Sequence, residues 1–414
     1  MEVVVERYNW WIFPVILIAT CLPFLWLRKR SIRDKIYVIP FILFFFVYSG
    51  YGCGWESCEP SYLFFYFVWM LVFGLTLSFF VNDNNRELLN YNKSQNKIIK
   101  TDFFPLLYIL ITLLPLLLNG KWHNILSPPT PNLTEAFHGG ESSGGHSYFY
   151  YLEHLINPFY IVCLYRYREK PFKLFFFFLF PFYLSYVNSA YLARSTLMAY
   201  FLIYLAIIYI YIPRIRKKLI ISCVVAFPLL AFGLSWYTYA RLGHAFNLSL
   251  YDSISLLLYQ ETSYTTHFTE IQKLGFNPGL LGDYMNWFLT LPLPGFLKDG
   301  SRDYFFNAIF TEKLTGVYRG EMGFSVLLPG AVNEGIFIFG NYLFVFHSFL
   351  IAFFVGLTYK LLRYKQETIL LLYCSIFIAS LIARAGTVSA YPIYMKDMIM
   401  YFLAIYILRK WIKI

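Results

Sequence analysis

Tyr62 to Phe80 reads YLFFYFVWMLVFGLTLSFF, nineteen consecutive residues without a charge. At about 1.5 Å of rise per residue, such a helix is roughly 28 Å long, enough to cross the hydrocarbon layer of a bilayer. Comparable runs recur from end to end of the 414 residues, of which 58% are hydrophobic, 22% aromatic and only 14% charged. So few charges cannot cover the surface of a soluble protein of this size, so lipid is the solvent for most of the chain. The expected fold is therefore an all-α polytopic membrane protein, a single integral membrane domain over residues 1–414.

Eleven spans are expected, at about 10–27, 36–50, 62–80, 103–119, 149–165, 174–190, 195–212, 219–236, 335–359, 368–383 and 393–408. The first is followed by Arg28, Lys29 and Arg30 with no small-residue cleavage site, so it reads as a retained span. Alternate connections and the C-terminal end hold 23 of the 34 Lys and Arg but only six of the 23 acids. That asymmetry puts those connections and the C-terminus on the cytoplasmic side and the N-terminus outside. The net charge of +11 is thus a topology signal dispersed over small inner loops, and nucleic acid is excluded as a partner.

The inner connections are short, whereas two outer ones are long, 120–148 and 237–334, so function is expected to face outward. The first is rich in Pro, Gly and Ser and reads as a flap or as plain disorder. In the second, Leu280 to Leu297 is apolar but interrupted by Gly282, Asp283, Asn286, Pro292 and Pro294, and reads as lying at the membrane interface. Cys53 and Cys58 share the short outer segment GCGWESC, where a disulfide and two structural thiols are both open. Eleven basic residues on the outer side, among them Arg194, Arg241, Arg319 and Arg384, run against the topology rule and need another explanation.

Walker A, HExxH and Asp-x-Asp signatures are absent, which argues against nucleotide-driven chemistry and against a carboxylate-held metal; neither cofactor nor metal is expected. An enzyme working outside the membrane without nucleotides needs a substrate that brings its own activated bond, such as a lipid diphosphate. Arginine is the side chain suited to that leaving group, because its guanidinium grips phosphate oxygens in a bidentate fork.

Three motifs follow in order: AYLARSTLMAY (190–200), with an Arg beside a Ser opening a helix; YARLGH (239–244), an Arg-x-Gly past the next outward helix; and, after the long loop, GEMGFSVLLPGAVNEGIFIFG (320–340). In this layout the chain resembles the Wzy family of O-antigen and capsular repeat-unit polymerases, whose Gly-Phe-Ser stretch precedes an Asn-x-Gly and a helix. Where many relatives carry an aromatic between that Asn and Gly, this chain has Glu334. The resemblance implies a GT-C-like helical bundle in the bacterial inner membrane and a glycosyltransferase acting on undecaprenyl-diphosphate-linked oligosaccharides. It also implies membrane lipids and a chain-length regulator (polysaccharide co-polymerase) as partners. An O-antigen ligase shares the donor chemistry, and a flippase shares the many spans but would place its ionisable residues along a central path.

The residues expected to carry the reaction are Arg194 and Arg241 for the leaving diphosphate and His267 as general base, since imidazole titrates near neutral pH. Each has a bland alternative: a snorkelling interfacial arginine, or a surface histidine. Arg319, Glu334, His244, Asp283 and Glu261 are expected as substrate-binding groups. His347, mid-span in LFVFHSFL, is expected to face the bundle interior in a hydrogen-bonded structural role.

Overall fold

A computed structural model describes residues 7–81, 103–118, 120–129, 159–189, 194–241, 246–290, 306–318, 327–363 and 368–384. Among these the chain is helical, with one isolated bridge between Tyr8 and Trp55 and no strand. It divides into two compact units, Met1–Arg86 with Leu258–Met395, and Glu87–Leu257 with Lys396–Ile414.

In the first unit, α1 (Phe13–Cys21) lies between short 3₁₀ stretches, and the run Trp10–Lys29 is apolar enough to span. The next helix, α2 (Ile32–Phe45), begins at Ser31, whose hydroxyl accepts from the Asp34 amide while the Asp34 carboxylate accepts from the Ser31 amide. This reciprocal cap satisfies two helix-end donors. Asp34 is fully buried because the Tyr359 hydroxyl also donates to it, tying the start of α2 to a helix more than 300 residues later. The stretch that decides the fold is α3 (Tyr62–Phe80). Tyr62, Tyr66, Trp69, Phe73 and Leu77 recur at helical spacing and are buried, whereas Phe64, Leu75 and Phe79 face outward. One stripe therefore packs on protein and the other is left for lipid. Close approach needs small residues: a Cβ on Gly74 would lie 2.8 Å from Pro23, and one on Gly356 would lie 2.4 Å from the Phe80 ring.

The partner of α3 is α13 (Ala331–Arg363), which the sequence reading treats as one continuous span over 335–359. The structure breaks it at Gly340, whose φ of 72° and ψ of 178° no helix accommodates. A Cβ there would lie 3.1 Å from the Phe276 ring, and the next residue, Asn341, exchanges amide hydrogen bonds of 2.7 and 2.6 Å with Gln272. The result is a buried half-helix, 331–339, followed by a long helix, 341–363. About 34 Å of rise remains in the latter, still enough to cross a membrane. Further along, α14 (Thr368–Arg384) lies against α2 through Ser375, whose hydroxyl reaches the Ile36 carbonyl at 3.4 Å.

The second unit contains α4 (Phe103–Leu118), α5 (159–167), α6 (Pro171–Ser189), α7 (Arg194–Tyr211) and α8 (Arg216–Arg241). Tyr108, Tyr160 and Phe177 form its aromatic centre. After α4, a 3₁₀ turn, Trp122–Ile125, is held on α6 by Asn124, which donates to the Val187 carbonyl, and by Tyr183, which donates to Ile125.

Five described segments are long and apolar enough to cross a membrane: Trp10–Lys29, Ile32–Gly54, Tyr62–Phe80, Pro213–Ala240 and Ala331–Leu362. Four shorter apolar helices cover Pro105–Leu118, Pro171–Leu184, Leu197–Tyr211 and Thr368–Arg384. The chain is thus a multi-pass, all-α membrane protein in type. Most of the expected 149–165 span and all of 393–408 lie outside the described residues. So does most of the connection 120–148.

The connection 237–334 is largely helical in its described residues. It contains α9 (Leu250–Thr262), a 3₁₀ turn Ser263–His267, α10 (Phe268–Leu274), α11 (Pro278–Thr290) and α12 (Phe306–Thr315). Ser249 caps α9 through Asp252, and Gly275 at φ 69° ends α10.

Candidate functional site

The half-helix 331–339 organises a polar junction in the first unit. Pro329 and Gly330 precede it, and Gly330 takes a φ of 71° that only glycine adopts without strain. Its amide donates to the Arg384 carbonyl at 3.1 Å and its carbonyl accepts from the Glu334 amide at 3.0 Å, so one residue joins the end of α14 to the first turn of the half-helix. A Cβ on Gly330 would meet Tyr264 at 3.4 Å.

Tyr264 is the hub. Its carbonyl accepts from Asn333 Nδ2 at 2.6 Å, and its hydroxyl accepts from Arg384 Nε at 2.7 Å. The same Arg384 Nε lies 3.9 Å from Glu261 Oε2, and these two side chains keep 21% and 16% of their surface exposed. A carboxylate, a guanidinium and a phenol thus meet where the first two are sheltered but reachable. Asn333 is 1% exposed, and its Oδ1 is buried with no hydrogen-bond partner, as is Thr265 Oγ1. The amide orientation is fixed, because only Nδ2 can donate to the Tyr264 carbonyl.

The GCGW segment braces this junction from the other side. Trp55 Nε1 donates to Thr262 Oγ1 at 2.7 Å, and a Cβ on Gly52 would lie 2.2 Å from the Thr262 carbonyl. Cys53 and Cys58 are buried in this wall, their thiols donating to the Ser49 and Glu59 carbonyls.

Glu334, one residue beyond Asn333, is fully buried and reaches His347 Nε2 at 3.2 Å. Trp69 Nε1 lies 3.4 Å from the other ring nitrogen, Nδ1. An indole N–H can only donate, so Nδ1 accepts and the ring proton sits on Nε2, where it is donated to Glu334. A Cβ on Gly335 would lie 2.9 Å from that Nδ1, which is why glycine follows Glu334. On a straight helix Glu334 and His347 would be about 20 Å apart, so the turn at Gly340 is what brings them together.

The remaining expected site residues fall in several places. His267 ends the 3₁₀ turn, its ring edge-on to Phe310 and its Nδ1 3.8 Å from Glu270 Oε2. Burial lowers its pKa from the ordinary 6.5, and Glu270 acts in the opposite direction. Asp283 is exposed on α11. Arg194 opens α7 and Arg241 closes α8 in the second unit. The 3₁₀ turn Pro213–Ile215 joins these helices, and Arg194 and Arg241 stand at the ends away from it. His244 and Arg319 lie outside the described residues. Sequence reasoning did not select Arg384, Tyr264 or Asn333. Arg384 was visible only as a cation against the topology rule, and Asn333 only as the Asn of an Asn-x-Gly.

Comparisons with family models, with curated proteins and with solved structures gave no match.

Proposed function

We propose that this chain is a glycosyltransferase that polymerises undecaprenyl-diphosphate-linked oligosaccharide repeat units on the outer face of the bacterial inner membrane. The observation that carries the reading is the sheltered meeting of Arg384, Glu261 and Tyr264, a fixed cation beside a carboxylate. The order of the Arg-Ser, Arg-x-Gly and Asn-x-Gly motifs supports it independently.

In this reaction the acceptor hydroxyl attacks the anomeric carbon of the donor glycan. A new C–O bond forms, and the bond to the diphosphate breaks with its electron pair. Arginine stabilises the charge on the departing lipid diphosphate, and His267 takes the acceptor proton. A lowered pKa suits that role, since the imidazole is unprotonated at neutral pH. The test is extension of lipid-linked repeat units by purified protein without nucleotide and with a chelator present. Product lost on chelation and restored by Mg²⁺ would refute arginine-borne stabilisation.

A transporter of the same lipid-linked sugar is the second reading, favoured by the broken helix at Gly340, a device that transporters place at substrate sites. Movement of the intact lipid between leaflets of proteoliposomes, with no longer glycan formed, would select it.

A further inference from the structure

We infer that the junction of Tyr264, Asn333 and Arg384 is a binding site for a glycosyl phosphate, with Arg384 taking a phosphate oxygen and Asn333 Oδ1 accepting from a sugar hydroxyl. This deepens the function proposed above by naming residues for the donor that the sequence does not single out.

The argument is one of complementarity. Arg384 offers donors only, and it is held in orientation by the Tyr264 hydroxyl at 2.7 Å. Glu261 Oε2 lies 3.9 Å from the same nitrogen, so an anionic ligand shares the part-exposed guanidinium with that carboxylate. At the other end of Tyr264, Asn333 Oδ1 is a buried acceptor left unpaired, and leaving such a group unpaired is costly. It calls for a donor. The half-helix 331–339 begins beside Arg384, whose carbonyl accepts from the Gly330 amide at 3.1 Å, and Asn333 lies in its first turn. The matching ligand presents an anion and a hydroxyl donor about a tyrosine's length apart. A glycosyl phosphate does so, whereas inorganic pyrophosphate supplies only the anion. Backbone buried away from solvent at a helix break is tolerated in membrane proteins where it lines a polar site, and Gly330 at φ 71° and Gly340 at φ 72° bracket such a segment here.

The experiment is calorimetric binding to full-length protein in detergent. Three probes are used: a short-chain polyprenyl diphosphate bearing one hexose, the same lipid diphosphate without sugar, and inorganic pyrophosphate. Arg384→Gln should weaken all three by roughly tenfold or more, as expected for loss of a charge-assisted hydrogen bond. Asn333→Ala should weaken only the glycosylated probe, bringing it to the affinity of the sugar-free one. Arg384→Lys and Tyr264→Phe, which preserve charge and ring, guard against misfolding, and both should fall between wild type and Arg384→Gln. Equal loss for all probes in Asn333→Ala, or unchanged binding in Arg384→Gln, overturns the inference. So does displacement of the glycosylated probe by equimolar phosphatidylglycerol, which would assign the site to a lipid headgroup. Polymer formation that survives Arg384→Gln sinks this site but not the proposed function. Sugar-dependent binding through Asn333 in a protein that forms no polymer sinks the function and leaves the site.

Discussion

Asn333 and Glu334 are neighbours on one half-helix, and they serve opposite kinds of polar site. On Glu334's side, Trp69, His347 and the carboxylate form a closed chain of hydrogen bonds, with Glu334 and His347 both fully buried. On Asn333's side, Arg384 and Glu261 stay part exposed, and two buried oxygens, Asn333 Oδ1 and Thr265 Oγ1, are left without a hydrogen-bond partner. A polar network satisfied from within specifies packing, whereas one that is incomplete and reachable has capacity for a ligand. Proximity along the chain therefore says little about role.

The largest effect expected from this contrast is on activity. Replacing Arg384 by Gln should reduce polymer formation at least about 100-fold, the usual cost of removing one donor to a developing negative charge. Thermal unfolding in detergent should shift little by comparison, because Arg384 is part exposed and its contact with Glu261 is a long one. A collapse of stability with proportionate loss of activity would erase the distinction between the two sides.

The opposite pattern should follow on the closed side. Glu334→Ala and His347→Ala should each destabilise by roughly 1–3 kcal/mol, since each strands a buried polar partner. The double variant should cost clearly less than the sum, because the second change removes the group that the first left unpaired. Denaturation in mixed micelles would measure this, and strict additivity would break the network. Gly335→Ala should cost on the order of 1–3 kcal/mol by the same route, as its methyl would press on His347 Nδ1 from 2.9 Å.

What the sequence discloses follows the reach of each interaction. Spans such as Tyr62–Phe80 are legible because lipid compels every residue of the run to be apolar, a local constraint. His347 is legible as an inward-facing group for the same reason. Its partner Glu334 is not, because 13 residues on a helix place two side chains far apart unless the helix breaks. Gly340, whose positive φ makes that break, looks like any glycine in an apolar run. The Arg384–Tyr264 bond joins residues 120 apart in sequence, so neither position carries a signal of the other. The helices α9 to α12 carry no span signal because polar residues interrupt their apolar runs, although Tyr284 of α11 and Phe310 of α12 are both buried.

The smallest effect is the one that tests His267, which belongs to neither polar set. Its ring is largely buried against Phe310, and burial disfavours the imidazolium, so its folded pKa lies below 6.5 while the unfolded chain titrates near the ordinary value. Between those two values the unfolded state binds more protons. Stability should therefore fall as pH drops below about 6.5, and the loss should be complete once the folded group has also protonated. If His267 is the base, activity should decline over the lower part of the same range, through the folded pKa itself. Glu270 opposes the burial effect, but its side chain is 57% exposed, so solvent screens the 3.8 Å pair to well under about 1 kcal/mol. Glu270→Gln should accordingly move the activity midpoint down by only a fraction of a pH unit, and His267→Gln should abolish the inflection. Histidine-selective NMR of the labelled protein gives the folded pKa directly. A midpoint at or above 6.5, or an upward shift on removing Glu270, would show that burial does not govern this ring and would take His267 out of the proton-transfer role.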